Sequence, residues 1–283
     1  MKKRKTIDGF LYGLMIAASA AVGAALIGII AYILFQSMGN MERSIFSPVS
    51  DEHFSILSLL PMIVATAWTV LVSLALALPI GIMTAVYLHE YAQKSKISRI
   101  MGLAIDTLAG IPSIIYGLFG LLVFCRFFNL GQSIIAGGLT LSIMILPVII
   151  RTTEEALKTV PDSFREGSLS LGATKIQTIL HVVLPPALPG ILTAAILAAG
   201  RVVGESAPVL LTVGIARNLP KSIFEPGRTL TIHLYYLTKE AIAPDDFAQA
   251  FTAAAVLIIV VLIINTAVKV VGRGFGQTGE NID

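Results

Sequence analysis

Six long apolar stretches dominate this sequence, and they constrain the fold more than any other feature. A helix that crosses the hydrocarbon core of a bilayer needs about 20 mostly apolar residues, because each residue rises about 1.5 Å through a layer about 30 Å thick. The stretches that meet this requirement cover residues 10–35, 56–88, 100–124, 133–150, 188–213 and 248–271. We therefore expect an all-α integral membrane protein with six transmembrane helices.

The composition agrees with lipid as the solvent of this chain. Hydrophobic residues make up 55% of the 283 residues and charged residues only 13%, whereas about a quarter of a soluble domain is charged. The net charge of +3 and the absence of a basic stripe with interleaved aromatic residues argue against nucleic-acid binding. The single cysteine, Cys125, rules out an intramolecular disulfide, and we expect it to be a small buried hydrophobe.

The distribution of lysine and arginine predicts the orientation of the chain. These residues concentrate in the amino-terminal segment, in the second-to-third and fourth-to-fifth connections, and in the carboxyl-terminal tail. Because positive charge is retained in the cytoplasm, both termini are predicted to be cytoplasmic. The first apolar stretch is longer than the core of a cleaved signal peptide, about 7–15 residues, so we interpret it as a membrane anchor.

The fourth-to-fifth connection, residues 152–184, is too long and too structured for a simple linker. Thr152 is a predicted N-cap of a first helix, which Pro161 ends. Ser163 opens a second short helix, and Gly172 is its predicted stop, since glycine tolerates the left-handed conformation. A third helical segment then leads into the fifth span.

Short amphipathic helices of this kind can lie on the lipid headgroups or bind a soluble protein. An interfacial helix on the lipid headgroups would carry a strongly basic polar face with bulky apolar anchors. This connection instead mixes acids, serines and small residues. A rigid docking surface for a soluble partner fits the composition better.

The same connection contains a run with distinctive spacing, formed by Glu166, Gly167, Ser168, Gly172, Val182, Leu184 and Pro185. It resembles the EAA loop of bacterial ABC importer permeases, which reads Glu-Ala-Ala, three residues, Gly, nine residues, Ile, one residue, Leu-Pro. Gly167 and Ser168 replace the alanines, and Val182 replaces the isoleucine. The resemblance implies that the loop docks on an ATPase subunit and transmits its closure to the membrane helices.

Any ATP hydrolysis is expected on a separate polypeptide. A nucleotide-binding loop would read Gly, four residues, Gly-Lys-Ser/Thr, and the sequence contains no such run. We therefore expect a subunit that is not an enzyme and that needs no cofactor.

Arg201 and Glu205 place two charges inside the fifth apolar stretch, Arg201 near its middle. Residues four apart share a helix face, and each buried charge costs at least a few kcal/mol. One interpretation is an ion pair that only locks helix packing. The other is an anion path lined by Arg201, whose planar guanidinium suits tetrahedral oxyanions. Glu205 would then orient Arg201, moderate its charge or accept a proton, and these three roles remain open.

Four segments carry a second resemblance, over residues 81–92, 108–120, 151–161 and 200–212. They are similar to the PstA family of phosphate permeases, and the likeness extends over about 61–272. It implies a six-span ABC importer permease fold in a prokaryotic cell membrane. The expected organisation is residues 1–60 for the amino-terminal segment, first span and outer loop, 61–272 for the transmembrane domain with its coupling loop, and 273–283 for a cytoplasmic tail.

The implied partners are a homologous PstC-like permease, a dimer of PstB-like ATPases and an extracytoplasmic PstS-like phosphate-binding protein. Three other functions compete with this one: a permease for sulfate or molybdate, an ATP-independent anion carrier or channel, and a membrane enzyme. A single arginine does not distinguish tetrahedral anions. A self-sufficient carrier needs no docking loop, and no convergent catalytic groups appear within the apolar stretches.

Three further features can be explained either by packing and local structure alone or by a role in transport. Glycines and a proline around Ser113 and Tyr116 fit close helix packing, although both hydroxyls could also face a passing anion. For Asp106, near the inner end of the third stretch, we expect a partner at the inner interface or a bond at a helix terminus rather than a transport role. The outer loop, residues 214–246, is either a docking surface for a binding protein or a plain lid over the helix ends.

Overall fold

The computed structural model describes residues 2–45, 59–92, 95–240 and 244–276. Every regular element in these ranges is a helix. Five helices are long and apolar enough to cross a membrane, or six if one bent pair counts as a single span. The predicted all-α membrane fold is confirmed. Parts of the predicted first outer loop, residues 46–58, and of the tail, residues 277–283, lie outside the described residues.

The helices follow one another along the chain as α1 Lys2–Ile45, α2 Leu60–Val86, α3 Lys96–Ala109, α4 Ser113–Gly120, α5 Ile134–Lys158, α6 Asp162–Ser170, α7 Lys175–Thr178, α8 Leu184–Gly204, α9 Ala207–Thr212, α10 Leu230–Glu240 and α11 Pro244–Gly276. Three π-helical turns extend them: Tyr87–Tyr91 after α2, Leu121–Phe127 after α4 and Ile179–Val183 between α7 and α8.

Contacts divide the chain into two units. The first contains α1 and residues Leu237–Val256. Within it, the rings of Tyr32 and Phe251 meet edge to face with centroids 5.6 Å apart. The described side chains of α1 are mostly apolar and mostly exposed, as expected for a helix whose solvent is lipid.

The second unit contains Leu59–Tyr236 and the chain from Leu257 onward. Helix α5 lies at its centre and packs against α2 and α8. The helices approach closely where one of them has a glycine. A Cβ built on Gly138 would lie 2.3 Å from Cγ1 of Val72, and one built on Gly81 would lie 2.6 Å from Cγ2 of Ile149.

The third predicted span, residues 100–124, is not one straight helix. It consists of Lys96–Ala109 and Ser113–Phe127, which meet at 98°. Pro112 causes the break, because it has no N–H to donate to the carbonyl of Leu108 and its ring collides with that carbonyl in a continuous helix. The hydroxyl of Tyr116 donates to the Leu108 carbonyl instead, at 2.8 Å.

Two further boundaries differ from the sequence-based expectation. Helix α5 runs without interruption to Lys158, so Thr152 is not an N-cap and the first loop helix continues the fourth span. The chain from Ile150 to Val160 has no glycine or proline to end it. The fifth span does not continue to Val213, because α8 ends at Gly204. Pro208 cannot donate to the Gly204 carbonyl, and a new short helix, α9, begins at Ala207.

Candidate functional site

The coupling loop consists of α6, a tight turn and α7. Helix α6 begins one residue before the predicted start at Ser163 and ends at Ser170. Gly172 has φ +88°, which confirms the predicted left-handed stop. Thr174 then caps α7 through a reciprocal capping box with Gln177. The loop is therefore a rigid element with one sharp joint.

The motif residues fall on different sides of this element. Glu166 and Gly167 are exposed on α6. The hydroxyl of Ser168 faces inward and lies 2.9 Å from that of Thr178, which ties α6 to α7. Leu184 is half-buried and Pro185 is exposed in the first turn of α8. The sequence motif thus contains both an outward surface and the internal contacts that support it.

The loop exposes large apolar side chains as well as Glu166. Leu171 is 91% exposed, Ile176 is 62% exposed and Phe164 is 53% exposed. Apolar groups displayed together with an acid suit a protein partner better than bulk water.

Arg165 fixes α6 to two other elements, and sequence reasoning missed this. Its Nε donates to Oε1 of Glu90 at 3.0 Å, in the π-helical turn that ends the second span. Its two terminal nitrogens donate to the carbonyls of Val160 at 2.6 Å and Leu157 at 2.9 Å, and one also donates to Asp162 at 3.0 Å. The guanidinium therefore caps the end of α5 while it binds the π-helical turn after α2.

Lys175 reaches the same point from α7. Its Nζ lies 4.5 Å from the centre of the Tyr91 ring and donates to the carbonyl of Glu90. The Glu90 carboxylate also lies 3.1 Å from Nδ1 of His89. Two basic residues of the coupling loop thus converge on the π-helical turn that ends the second span.

Arg201 and Glu205 meet as their spacing predicted, although not on one helix. Arg201 is in the last turn of α8, and Glu205 follows the helix in an extended conformation. Nε of Arg201 lies 3.6 Å from Oε1 of Glu205, and the two side chains are 37% and 17% exposed. The prediction that Arg201 lies in the middle of a long continuous span is wrong, because α8 stops three residues later.

The outer loop adds a polar contact beside this pair. The hydroxyl of Thr231 in α10 donates to the carbonyl of Val203 at 2.5 Å. This carbonyl is among the last of α8 and has no partner within that helix. The predicted aromatic helical stretch around Leu234–Tyr236 is part of α10.

Ser113 and Tyr116 lie in the first turns of α4, which packs against α9. A Cβ on Gly117 would lie 2.8 Å from Cα of Pro208, so the two helices touch almost backbone to backbone. Ser113 is half-buried, whereas Tyr116 is buried and its hydroxyl is bound to Leu108. In this arrangement Tyr116 stabilises the break in the third span.

Asp106 has a side-chain partner, Arg151. Nη2 of Arg151 lies 2.6 Å from Oδ1 of Asp106, and Nη1 donates to Glu154 at 2.8 Å. Nη2 also donates to the carbonyl of Gly102 at 3.1 Å. The Arg151 fork connects α3 to α5, with both Asp106 and Arg151 substantially exposed.

Two buried side chains order the outer loop. Nε of Arg228 donates to the carbonyl of Ile215 at 3.1 Å, and its guanidinium lies over the Tyr236 ring, 4.7 Å from the centre. His233 is buried near it. Burial lowers the pKa of His233 to about 4, and the positive charges of Arg228 and Arg217 act in the same direction. His233 is therefore neutral at physiological pH.

This architecture and sequence match a known protein family and several of its members. Residues 77–277 match the family described as binding-protein-dependent transport system inner membrane component. The probable ABC transporter permease protein YqgI of Bacillus subtilis is 32% identical over 282 residues, which cover 95% of this chain and 96% of YqgI. The phosphate transport system permease protein PstA 1 of Mycobacterium tuberculosis is 41% identical over 202 residues, covering 71% of this chain and 66% of the relative.

Solved structures share the fold at low sequence identity. A chain of the inward-facing MetNI methionine ABC transporter has a TM-score of 0.61 at 23% identity, covering 77% of this chain and 94% of the other. A chain of a bacterial alginate ABC transporter has a TM-score of 0.62 at 15% identity, covering 90% and 95%. The fold, the coupling loop and the family match agree: this chain belongs to the binding-protein-dependent transport system inner membrane components, the permeases of ABC importers.

Proposed function

We propose that this chain is a permease subunit of an ATP-driven importer of inorganic phosphate and forms half of its translocation pathway. The observation that carries the proposal is the coupling loop. Helix α6 presents an exposed surface, Gly172 fixes a sharp joint, and Arg165 fastens the helix to the membrane spans. A protruding element held this firmly can pass movement from a cytosolic motor to the spans.

Two observations support phosphate as the cargo: the names of the relatives and the guanidinium of Arg201. Several relatives at 38–41% identity are named phosphate transport permeases. The partly exposed Arg201 guanidinium supplies the permanent positive charge and the fork of donors that a tetrahedral oxyanion needs. The names of the relatives, and not the geometry of Arg201, favour phosphate over sulfate or molybdate as the cargo.

Glu205 weakens the attraction between Arg201 and phosphate, so that the anion can be released. A lone guanidinium in a low-dielectric path would hold a phosphate anion tightly and slow its release, since charge interactions strengthen away from water. The carboxylate 3.6 Å away offsets part of that attraction. Selectivity then resides mainly in the binding protein that delivers phosphate to the outer side.

The proposed assembly has four kinds of subunit. This chain pairs with a homologous PstC-like permease, and a dimer of PstB-like subunits hydrolyses ATP at the cytoplasmic face. A PstS-like protein delivers phosphate to the outer side, where residues 214–240 form the docking surface. The chain spans a prokaryotic cell membrane with both termini in the cytoplasm and catalyses no covalent chemistry. Residues 61–272 form its transmembrane domain.

Reconstitution tests the function directly. The complete complex in proteoliposomes, with the binding protein outside and ATP inside, should accumulate radiolabelled phosphate, and a non-hydrolysable ATP analogue should abolish accumulation. Excess sulfate or molybdate should leave the rate unchanged. Inhibition by either anion together with its own ATP-dependent uptake would make that anion the cargo.

The control is this permease chain alone in liposomes. The proposal expects no phosphate movement from it. Phosphate flux through the chain alone, without ATP or the other subunits, would contradict the importer function and favour a self-sufficient carrier or channel.

A further inference from the structure

The contact between the coupling loop and the second span is a charged junction almost closed to solvent. The side chain of Arg165 is 13% exposed and that of Glu90 is 8% exposed, and their atoms are 3.0 Å apart. A buried charge without its partner is strongly unfavourable, so the two side chains stay together unless both gain access to water. The junction therefore resists separation of α6 from α2.

Glu90 is held from several directions, so its position is well determined. Its carboxylate contacts Nδ1 of His89 as well as Arg165. Lys175 binds its main-chain carbonyl from α7 and lies against the ring of Tyr91. Both ends of the coupling loop are thus attached to one π-helical turn, a local geometry that occurs often at functional sites in helices.

An apolar cluster lies at the same end of the spans and joins α2, α5 and α8. It contains Leu88, two residues before Glu90, and Leu157 and Val160, whose carbonyls accept hydrogen bonds from Arg165. Close-packed side chains transmit displacement because they compress little. Glu90, two residues from Leu88, thus connects Arg165 of α6 to this cluster.

We propose that Glu90 is a positioning residue for energy coupling: its ion pair with Arg165 transmits the movement of the coupling helix α6 to the second span. This inference rests on the proposed function of the loop as the ATPase contact. It adds a specific contact to that function. Glu90 lies 75 residues from Arg165 in sequence, and through this contact the loop moves the second span.

The test compares phosphate imported per ATP hydrolysed in the reconstituted complex. Glu90→Gln keeps the shape and a weak acceptor but removes the charge. The expected result is continued ATP hydrolysis with an import-to-hydrolysis ratio lowered about tenfold, within the range typical of coupling between sites. A residue with a merely structural role would lower import and hydrolysis together and leave the ratio unchanged.

Asp162→Asn is the matched control, because Asp162 also pairs with Arg165 at 3.0 Å but belongs to α6 itself and is 85% exposed. It should keep the wild-type ratio. Glu90→Asp, which retains the carboxylate on a shorter side chain, should give an intermediate ratio. An unchanged ratio in Glu90→Gln overturns the inference, and so does failure of both Glu90 variants to assemble, which would make the pair a folding element.

The wild-type transporter separates failure of this inference from failure of the proposed function. If the wild-type complex imports phosphate with ATP and Glu90→Gln has the same ratio, only the coupling role of Glu90 fails. If the wild-type complex shows no ATP-dependent phosphate import, the proposed function fails first. Stimulation of hydrolysis by the loaded binding protein would still report whether Glu90 couples the two sides.

Discussion

Arg201 is the residue on which the proposed anion path depends most directly. Arg201→Gln removes the charge and keeps much of the side-chain volume. We expect phosphate import to fall about tenfold to a hundredfold, because a charge-assisted hydrogen bond contributes about 1.5–3 kcal/mol and each 1.4 kcal/mol is about tenfold. Uptake of radiolabelled phosphate by proteoliposomes measures the effect.

Arg201→Lys is the control that separates the effect of the positive charge from the effect of the planar guanidinium geometry. It keeps the charge but loses the planar fork, so its import rate should fall between those of the wild type and Arg201→Gln. Both variants should assemble, because the side chain is 37% exposed and its ion pair with Glu205 is long, at 3.6 Å. Wild-type import by assembled Arg201→Gln would remove this residue from the path.

His233 makes the stability of the protein depend on pH. Its pKa is about 4 in the folded protein and 6.5 for an ordinary histidine. Between these values the unfolded chain binds a proton that the folded chain does not, so stability is lost as the pH falls from 6.5 towards 4. The largest possible loss is about 3 kcal/mol, since each pKa unit is worth about 1.4 kcal/mol.

Thermal unfolding in detergent can follow this loss through the buried thiol of Cys125, which reacts with a fluorogenic maleimide only when exposed. The melting temperature should decline between pH 6.5 and pH 5. In His233→Gln the decline over that interval should be smaller. An identical pH profile in the two proteins would show that His233 is not the group responsible.

At the scale of single elements, the joint of the coupling loop allows a clean test. Gly172 has φ +88°, and among the described residues no atom lies within 4 Å of a Cβ built there. Gly172→Ala therefore changes only the backbone cost, about 1–2 kcal/mol for a residue with a side chain in the left-handed region. We expect a lower melting temperature and weaker stimulation of the ATPase by the permease.

Gly167→Ala is the matched change on the neighbouring helix. Gly167 is inside α6 with an ordinary helical backbone, and the described structure leaves the same open space around its Cβ. Alanine should stabilise α6 by about 0.5–1 kcal/mol, because glycine inside a helix has a larger entropy cost. Opposite shifts of the melting temperature in these two variants are expected, and equal shifts would refute the role of the Gly172 conformation.

The elements also show why sequence reasoning succeeded in some places and failed in others. Gly172 was predictable because a helix stop is a local property of glycine. The break at Pro112 was harder to place, because a proline within an apolar run can either kink a span or divide it, and packing of α4 on α9 decides between them. The Arg165–Glu90 pair joins residues 75 positions apart, so no spacing rule could reveal it.

At the scale of the whole molecule, the span pattern and the basic loops together predict which surfaces face the cytoplasm. The coupling loop and both termini should lie inside, and the segment before α10 should lie outside. Labelling of single cysteines tests this orientation in a Cys125→Ala background. Leu171 in the coupling loop is 91% exposed, and Phe224 in the outer loop is 63% exposed, so both positions should be accessible to reagent.

A membrane-impermeant maleimide added to intact cells should label Phe224→Cys and spare Leu171→Cys. In cells that express this chain without the ATPase subunits, both should react after the membrane is opened, which shows that Leu171→Cys was shielded by the bilayer and not by folding. The reverse pattern would invert the predicted topology and turn the coupling loop away from ATP. Because an ATP-driven motor can act only where nucleotide is present, that result would contradict the proposed importer as a whole.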